Sequence, residues 1–427
     1  MHKKRVAITG LGVISPLGNN VGDTWQNLIA GKSGINTISN FDASAFPCQI
    51  AAEVNHFSLN AEITGKWKRA AISFTAFALD AAYQALVDAN IMPNKKTAEH
   101  WGVVVGSGMM TAEFPYLQRF QQTCALNGMV DWARLKVKSK DFYNLIDFAK
   151  TTSNSGLAML IQQFGIKGYA TSVHTACASS GQALGLASQV IKRGEADLIL
   201  AGGFDSMINP LGLASFCLLG ALSTYNETPH TASRPFDATR NGFVLGEGAA
   251  FLVLEEWQHA KKRKALIYAE LAGEGNSLSS YRITDSHPSG DGATQAIERA
   301  LANANMKPTH VDHINAHGTA TKMNDLSETN AIKSVFGQRA MEIPISATKS
   351  QTGHLIAAAG ALEALFSVLA IHHGCIPATT NFTIKDPDCD LDYVTDGPRK
   401  KNLNVVLSNS FGFGGSNSSL LFKQPNF

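Results

Sequence analysis

A chain of 427 residues, 44% hydrophobic and 16% charged, can fill one large core or two fused ones and is too apolar for a disordered or coiled protein. Its 36 basic and 34 acidic residues leave a net charge of +2, which points to neither nucleic-acid binding nor membrane attraction. Six cysteines, at 48, 124, 177, 217, 375 and 389, show no metal-ligand spacing, and a chain this long needs no disulfide staples; a reducing, cytoplasmic compartment is expected.

The basic start, Met1-His-Lys-Lys-Arg5, leads into a strand-length apolar run over 6–14 with no signal-peptide cleavage pattern. No apolar run reaches membrane-spanning length, so no membrane insertion is expected. Gly10-Leu-Gly12 imitates a dinucleotide fingerprint, but Ser15 and Pro16 stand where the third glycine and the helix start belong. It reads as a tight structural turn. Helices are predicted over 24–30 and 66–90, the second opening on Lys66, Lys68 and Arg69, a basic knot of the kind usually found on a solvated face. A strand follows over 101–106. Residues 110–150 mix polar, aromatic and basic residues and read as helices and loops covering a pocket.

Residues 169–176 predict a short buried strand and 178–193 a helix, with apolar Ala183, Leu184, Leu186, Ala187, Val190 and Ile191 and with Gly194 as its stop. Another strand at 196–200 completes a βαβ unit. Cys177 stands where this helix begins, and free N–H groups and the helix dipole favour a thiolate there. A free cysteine is also a common core residue. Gly202-Gly203 predicts a loop running to 224, and 249–255 a strand. From 265 onward strands at 266–273, 311–316, 342–346, 405–408 and 418–422 alternate with helices at 292–304, 326–336 and 355–372. Such alternation predicts an α/β fold with largely parallel sheets. The first half has a similar rhythm, which suggests an internal duplication, and without a Pro/Ser-rich linker the halves should be fused.

Three further segments deliver polar residues just past apolar strands: Ile314-Asn-Ala-His317, Ile345-Ser-Ala-Thr-Lys-Ser-Gln-Thr-Gly-His354 with Lys349 inside it, and the glycine-rich turn 411–415. One such histidine alone is ordinarily structural. Cys177, His317 and His354 together, each at a strand's carboxyl end, point to a site. A protease-like site would pair one histidine with an orienting group. Two neutral imidazoles instead offer two N–H donors to one oxygen, which suits an enolate formed when CO2 leaves a malonyl thioester. Backbone N–H groups of Cys177 and of the glycine turn could hold the oxyanion of acyl transfer.

Thr175-Ala-Cys-Ala-Ser-Ser180, His317-Gly-Thr-Ala-Thr321 and Lys349-Ser-Gln-Thr-Gly-His354, in this order between Val6-Ala-Ile-Thr-Gly-Leu-Gly12 and Asn409-Ser-Phe-Gly-Phe-Gly-Gly415, resemble the β-ketoacyl-[acyl-carrier-protein] synthases of the thiolase superfamily. The elongating type II enzymes of fatty acid synthesis are the nearest type. The resemblance implies thiolase-like αβαβα layers in two pseudo-duplicated halves, 1–255 with Cys177 and 256–427 with His317 and His354. It makes Cys177 the acyl carrier and gives His317 and His354 the decarboxylation, with Lys349 supporting His354 electrostatically and Asp325 and Glu328 as supporting acids. Thr319 and Thr321 match pantetheine contacts, Thr284 a nearby loop residue, Met109 and Phe411 substrate-site residues, and Phe413 the gating aromatic whose N–H completes the oxyanion hole. Lys66, Lys68 and Arg69 match residues that face an acidic acyl carrier protein. No cofactor or metal is implied beyond the carrier's phosphopantetheine. A homodimer is implied, with a heterodimer with a chain-length-factor-like subunit as the alternative.

The family's Pro-aromatic-aromatic-Val-Pro segment is replaced by Leu145-Ile-Asp-Phe-Ala149, which places Asp147 near an apolar tunnel and leaves a specialised polyketide or polyene ketosynthase as the alternative function. A thiolase would need a second cysteine near the C-terminal glycine turn, and 409–417 has none. Initiating synthases carry Asn in place of the second histidine, and a non-catalytic chain-length factor lacks the nucleophile.

Overall fold

The computed structural model describes residues 4–63, 65, 71–108, 114–142, 149–150 and 152–427. Ten strands form its frame: β1 (Val6–Ile14), β2 (Trp101–Ser107), β3 (Ala170–Val173), β4 (Leu198–Ser206), β5 (Leu245–Glu256), β6 (Ala269–Leu278), β7 (His313–Asn315), β8 (Ile345–Ser346), β9 (Val405–Phe411) and β10 (Ser416–Lys423). They lie in the order β3-β2-β4-β5-β1-β6-β10-β9-β7-β8. Outward from the central β1/β6 pair, each side reads first strand, fifth, fourth, second, third. The pairing senses match as well: two antiparallel contacts and then two parallel ones on each side, so the sheet is mixed and not largely parallel as the strand–helix alternation suggested. The halves are a structural duplication.

The helices complete five layers. α2 (Ser179–Arg193) and α6 (Ala359–His373) lie between the halves and each touches strands of both; α1 (Ser73–Asp88) covers the outside of the first half, α4 (Asp291–Asn303) and α5 (Lys322–Phe336) that of the second. α3 (Pro210–Leu218) brings Phe216 to the cavity around Cys177. Every residue of α6 from Ala359 to Ile371 is buried. A helix with a sheet on either side has no solvent face and needs no polar stripe. By length and composition Ile356–His373 could cross a membrane, contrary to the sequence expectation, but 89% of that window is buried inside the protein.

Gly10-Leu-Gly12 is not a turn. Both glycines lie inside β1, where a Cβ on Gly10 would stand 2.2 Å from the Ala85 carbonyl oxygen and one on Gly12 2.0 Å from that of Ala81. They let α1 settle onto the sheet at backbone distance. Gly273 and Gly275 of β6 do the same under α4, at 2.3 and 2.1 Å from the Ala300 and Ala296 oxygens. A register irregularity precedes each pair, between Ile8 and Gly10 and between Leu271 and Gly273. Gly202 and Gly203 likewise belong to β4 and not to a loop; their missing Cβ atoms make room for Ala250 and Ser180. The expected buried strand before Cys177 is the shorter β3, an edge strand with Ala170 exposed and its other three residues partly covered in the single chain.

Candidate active site

The two central-layer helices begin alike. Ala176 (φ 49°) opens a one-turn 3-10 helix, Ala176–Ala178, that runs into α2; Ile356 (φ 47°) opens Ile356–Ala358, which runs into α6. Left-handed backbone is costly at a residue with a Cβ, and most so at a β-branched one, so a repeated instance marks a turn under constraint. The constraint is visible at the first turn, where Ser179 Oγ accepts the Thr175 N–H at 2.8 Å and donates to the Ala176 carbonyl at 2.6 Å. Cys177 occupies the tip of this turn; its structural counterpart in the second half is Ala357, whose N–H donates to Asp205 Oδ2 at 3.0 Å. The duplication thus keeps the turn twice and the thiol once.

His354 lies just before the second turn, with Nε2 3.0 Å from Cys177 Sγ. Its Nδ1 accepts the Ile356 N–H at 3.3 Å. Burial, together with the charge of Lys349, holds its pKa well below the ordinary value, so the ring is neutral and its one proton sits on Nε2, towards the sulfur. His317, beyond β7, is built the same way: Lys349 Nζ stands 3.3 Å from Nδ1, and burial, then Lys349 and His354, keep the ring neutral. An ammonium only donates, so Nδ1 is the acceptor and Nε2 again carries the proton. The ring centroids are 5.3 Å apart, nearly perpendicular.

The thiol itself departs from expectation. Cys177 is 5% exposed, and burial pushes its pKa up to about 12, against the pull of the Lys349 charge and of the N–H groups of Phe413 and of Cys177 itself. Loss of hydration outweighs the helix start, so the resting group is a thiol and not a thiolate. The same two N–H groups converge on the sulfur. Gly412 allows this approach, since a Cβ there would lie 2.7 Å from the Thr175 oxygen.

Behind the histidines is a buried polar frame. Glu328 accepts the N–H groups of His317 and Gly318, both at 2.9 Å, and the Asn409 amide at 3.1 Å; burial raises its pKa to about 7. Asp325 accepts the N–H groups of Phe236 at 2.8 Å and Thr319 at 3.1 Å, with Arg240 3.6 Å away. Lys349 donates to the His317 carbonyl at 2.6 Å and pairs with Glu363. Its contacts are therefore with His317; it acts on His354 through its charge alone. Glu363, Asn409 and Asp205 were not singled out from the sequence. For Glu363 the signal was present: one acid inside the otherwise apolar helix 355–372.

A cavity of about 850 Å³ opens onto Cys177, His317 and His354. Thr284, Thr319, Thr321, Phe411 and Phe413 line it, whereas Lys349, Asp325 and Glu328 stand behind the wall. Met109, Lys66, Lys68, Arg69 and residues 145–148 lie outside the described residues. The sulfur and one nitrogen of each imidazole lie within 4.8 Å of one another, near enough for a metal, but a cation there would face the Lys349 ammonium beside His317.

A buried thiol facing two imidazole N–H donors, at the junction of a duplicated α/β fold, defines a condensing enzyme of the thiolase-like class. Residues 3–260 match the family described as beta-ketoacyl synthase, N-terminal domain, and residues 268–383 the corresponding C-terminal domain. The chain belongs to the β-ketoacyl synthase family. It is 43% identical to a 3-oxoacyl-[acyl-carrier-protein] synthase 2 of Coxiella burnetii and 41% to one of Synechocystis, each match covering 99% of both chains. Among solved structures it resembles a β-ketoacyl synthase from Burkholderia phymatum (TM-score 0.89, 32% identity, 99% of both chains). It also resembles a type II polyketide ketosynthase solved with its acyl carrier protein and bound to the hexaketide (0.88, 33%, 99% of this chain and 100% of that one).

Proposed function

We propose that this chain condenses a Cys177-bound acyl group with malonyl-[acyl-carrier-protein], releasing CO2 and 3-oxoacyl-[acyl-carrier-protein], in fatty acid elongation. The carrying observation is the pair of neutral imidazoles beside one sulfur, His354 with Nε2 3.0 Å from it and His317 with a ring nitrogen within 4.8 Å. The Cys177 sulfur attacks the acyl thioester, the bond to the pantetheine sulfur breaks, and the thiol proton leaves with that sulfur. Malonyl carrier protein then places its thioester oxygen between the two Nε2–H groups. The carboxylate carbon bond breaks, CO2 departs, and the electron pair enters an enolate held by these donors. Its carbon attacks the acyl carbonyl, and the N–H groups of Cys177 and Phe413 hold the oxyanion until the sulfur is expelled and takes up a proton. No general base is required to form the enolate.

The acyl and malonyl groups arrive on the phosphopantetheine of an acyl carrier protein. We read the working form as a homodimer in the cytoplasm: among the described residues β3 pairs with a strand on one side only, and all six cysteines are free. A chain-length-factor-like partner is the second reading, favoured by the likeness to a ketosynthase solved with its chain length factor at 26% identity. The deciding experiment is intact-protein mass spectrometry with acyl carrier protein, followed by CO2 release from malonyl carrier protein. The reading requires a mass gain on Cys177 that is lost in Cys177→Ala; no gain with any acyl carrier would overturn it.

A further inference from the structure

Three neighbouring parallel strands, β4, β2 and β3, end side by side, and each brings a polar side chain to its carboxyl end: Asp205, Ser107 and His174. All three line the cavity that holds Cys177, and Ser153 joins them. Ser107, His174 and Ser153 have no place in the thiol and imidazole chemistry, and Asp205 enters it only by its charge, which adds to the rise of the Cys177 pKa. His174 Nδ1 lies 3.0 Å from the Ser107 carbonyl oxygen, which can only accept, so Nδ1 carries a proton directed there. Nε2 is 3.0 Å from Ser172 Oγ. The Ser107 hydroxyl is 3.5 Å from the already committed Nδ1, its one hydrogen-bond contact among the described residues, although Ser107 is only 2% exposed. Its hydrogen is left to point into the cavity. Asp205 is buried beside it, with Oδ2 held by the Ala357 N–H. The other walls, including Met207, Phe216 and Ile356, suit hydrocarbon.

Resting on the ketosynthase reading but departing from its assignment to fatty acid elongation, whose acyl chains carry no such oxygen, we propose that Ser107, His174, Ser153 and Asp205 form a specificity site that selects acyl chains bringing a hydroxyl or keto oxygen to this row over plain hydrocarbon chains. A methyl end laid against the row would leave the buried Ser107 hydroxyl without a partner, whereas an oxygen satisfies it. One such unpaired group corresponds to about a tenfold preference.

The test uses pairs of acyl carrier proteins with equal chains ending in a hydroxyl or a methyl group, over a series of lengths, with the acylation rate of Cys177 read by mass spectrometry. At the length that reaches the row, the hydroxylated chain should react about tenfold faster. Ser107→Ala and His174→Ala should collapse that ratio, whereas loss of a merely structural role would slow both chains equally. Ser153→Ala, at an exposed position, gives a second measurement if the buried variants fail to fold. A wild-type ratio of one or below at every length overturns the inference and leaves the ketosynthase reading intact, as does a ratio unchanged in the variants. Acylation by neither series overturns both.

Discussion

The main-chain N–H of Ile356 reaches Nδ1 of His354 at 3.3 Å, and this contact decides which end of the ring faces Cys177 as a donor. The N–H belongs to the residue that opens the strained turn, so backbone conformation and catalytic tautomer are set together. His354→Ala removes one of two enolate donors and should lower decarboxylation of malonyl carrier protein by about a hundredfold or more. Cys177 should still be acylated. CO2 release measured beside acylation separates the two steps, and unimpaired CO2 release would remove His354 from the mechanism.

Burial holds both imidazoles neutral and the charge of Lys349, which pairs with Glu363, adds to it. Lys349→Met should therefore move the titrations of His317 and His354 towards higher pH, readable by NMR of labelled histidine. It should also cost about 3 kcal/mol of stability, because Glu363 is left buried without its cation.

Glu328 has its pKa raised to about 7 from 4.5 by burial. The folded state binds its proton more tightly than the unfolded state, so this group stabilises fully below pH 4.5 and the contribution fades as the pH rises through 7. Glu328→Gln should lie furthest below wild type near pH 4.5 and gain on it by about 1 kcal/mol per pH unit up to 7. Urea unfolding at several pH values measures this; a gap that widens with pH would reverse the assignment.

Gly12 and Gly275 occupy equivalent places in the two halves, with an alanine carbonyl oxygen 2.0 and 2.1 Å from the absent Cβ. Gly12→Ala and Gly275→Ala should each destabilise by about 2–3 kcal/mol or more, and by similar amounts. Gly22→Ala, where the nearest atom is the Asn20 side-chain oxygen at 3.4 Å, should be mild in comparison. Thermal unfolding of the three variants is the check.

The chemistry was legible in the sequence because it resides in a few residue types at fixed local positions. Cys177 before a helix, His317 and His354 after strands, and the glycine turn at 411–415 can each be found without knowing what lies across the sheet. The strand–helix rhythm gave the α/β class for the same local reason. What the glycines are for was not legible: Gly10-Leu-Gly12 and Gly202-Gly203 resemble turns along the chain, and only the helix or strand lying on them shows that they are contact points. The apolar run 356–373 has the composition of a membrane span until sheets are seen on both sides of it.

By itself the sequence determined the nucleophile, its two histidines and the family, since each is a pattern along the backbone. Only the tertiary structure decided the protonation of those groups. A thiol pushed up to about 12 by burial, and imidazoles held neutral by burial with the Lys349 charge added, are effects that no local pattern contains. Desolvation depends on what the rest of the fold excludes, and it turns the same three side chains from a thiolate waiting at a helix start into a thiol beneath two fixed N–H donors.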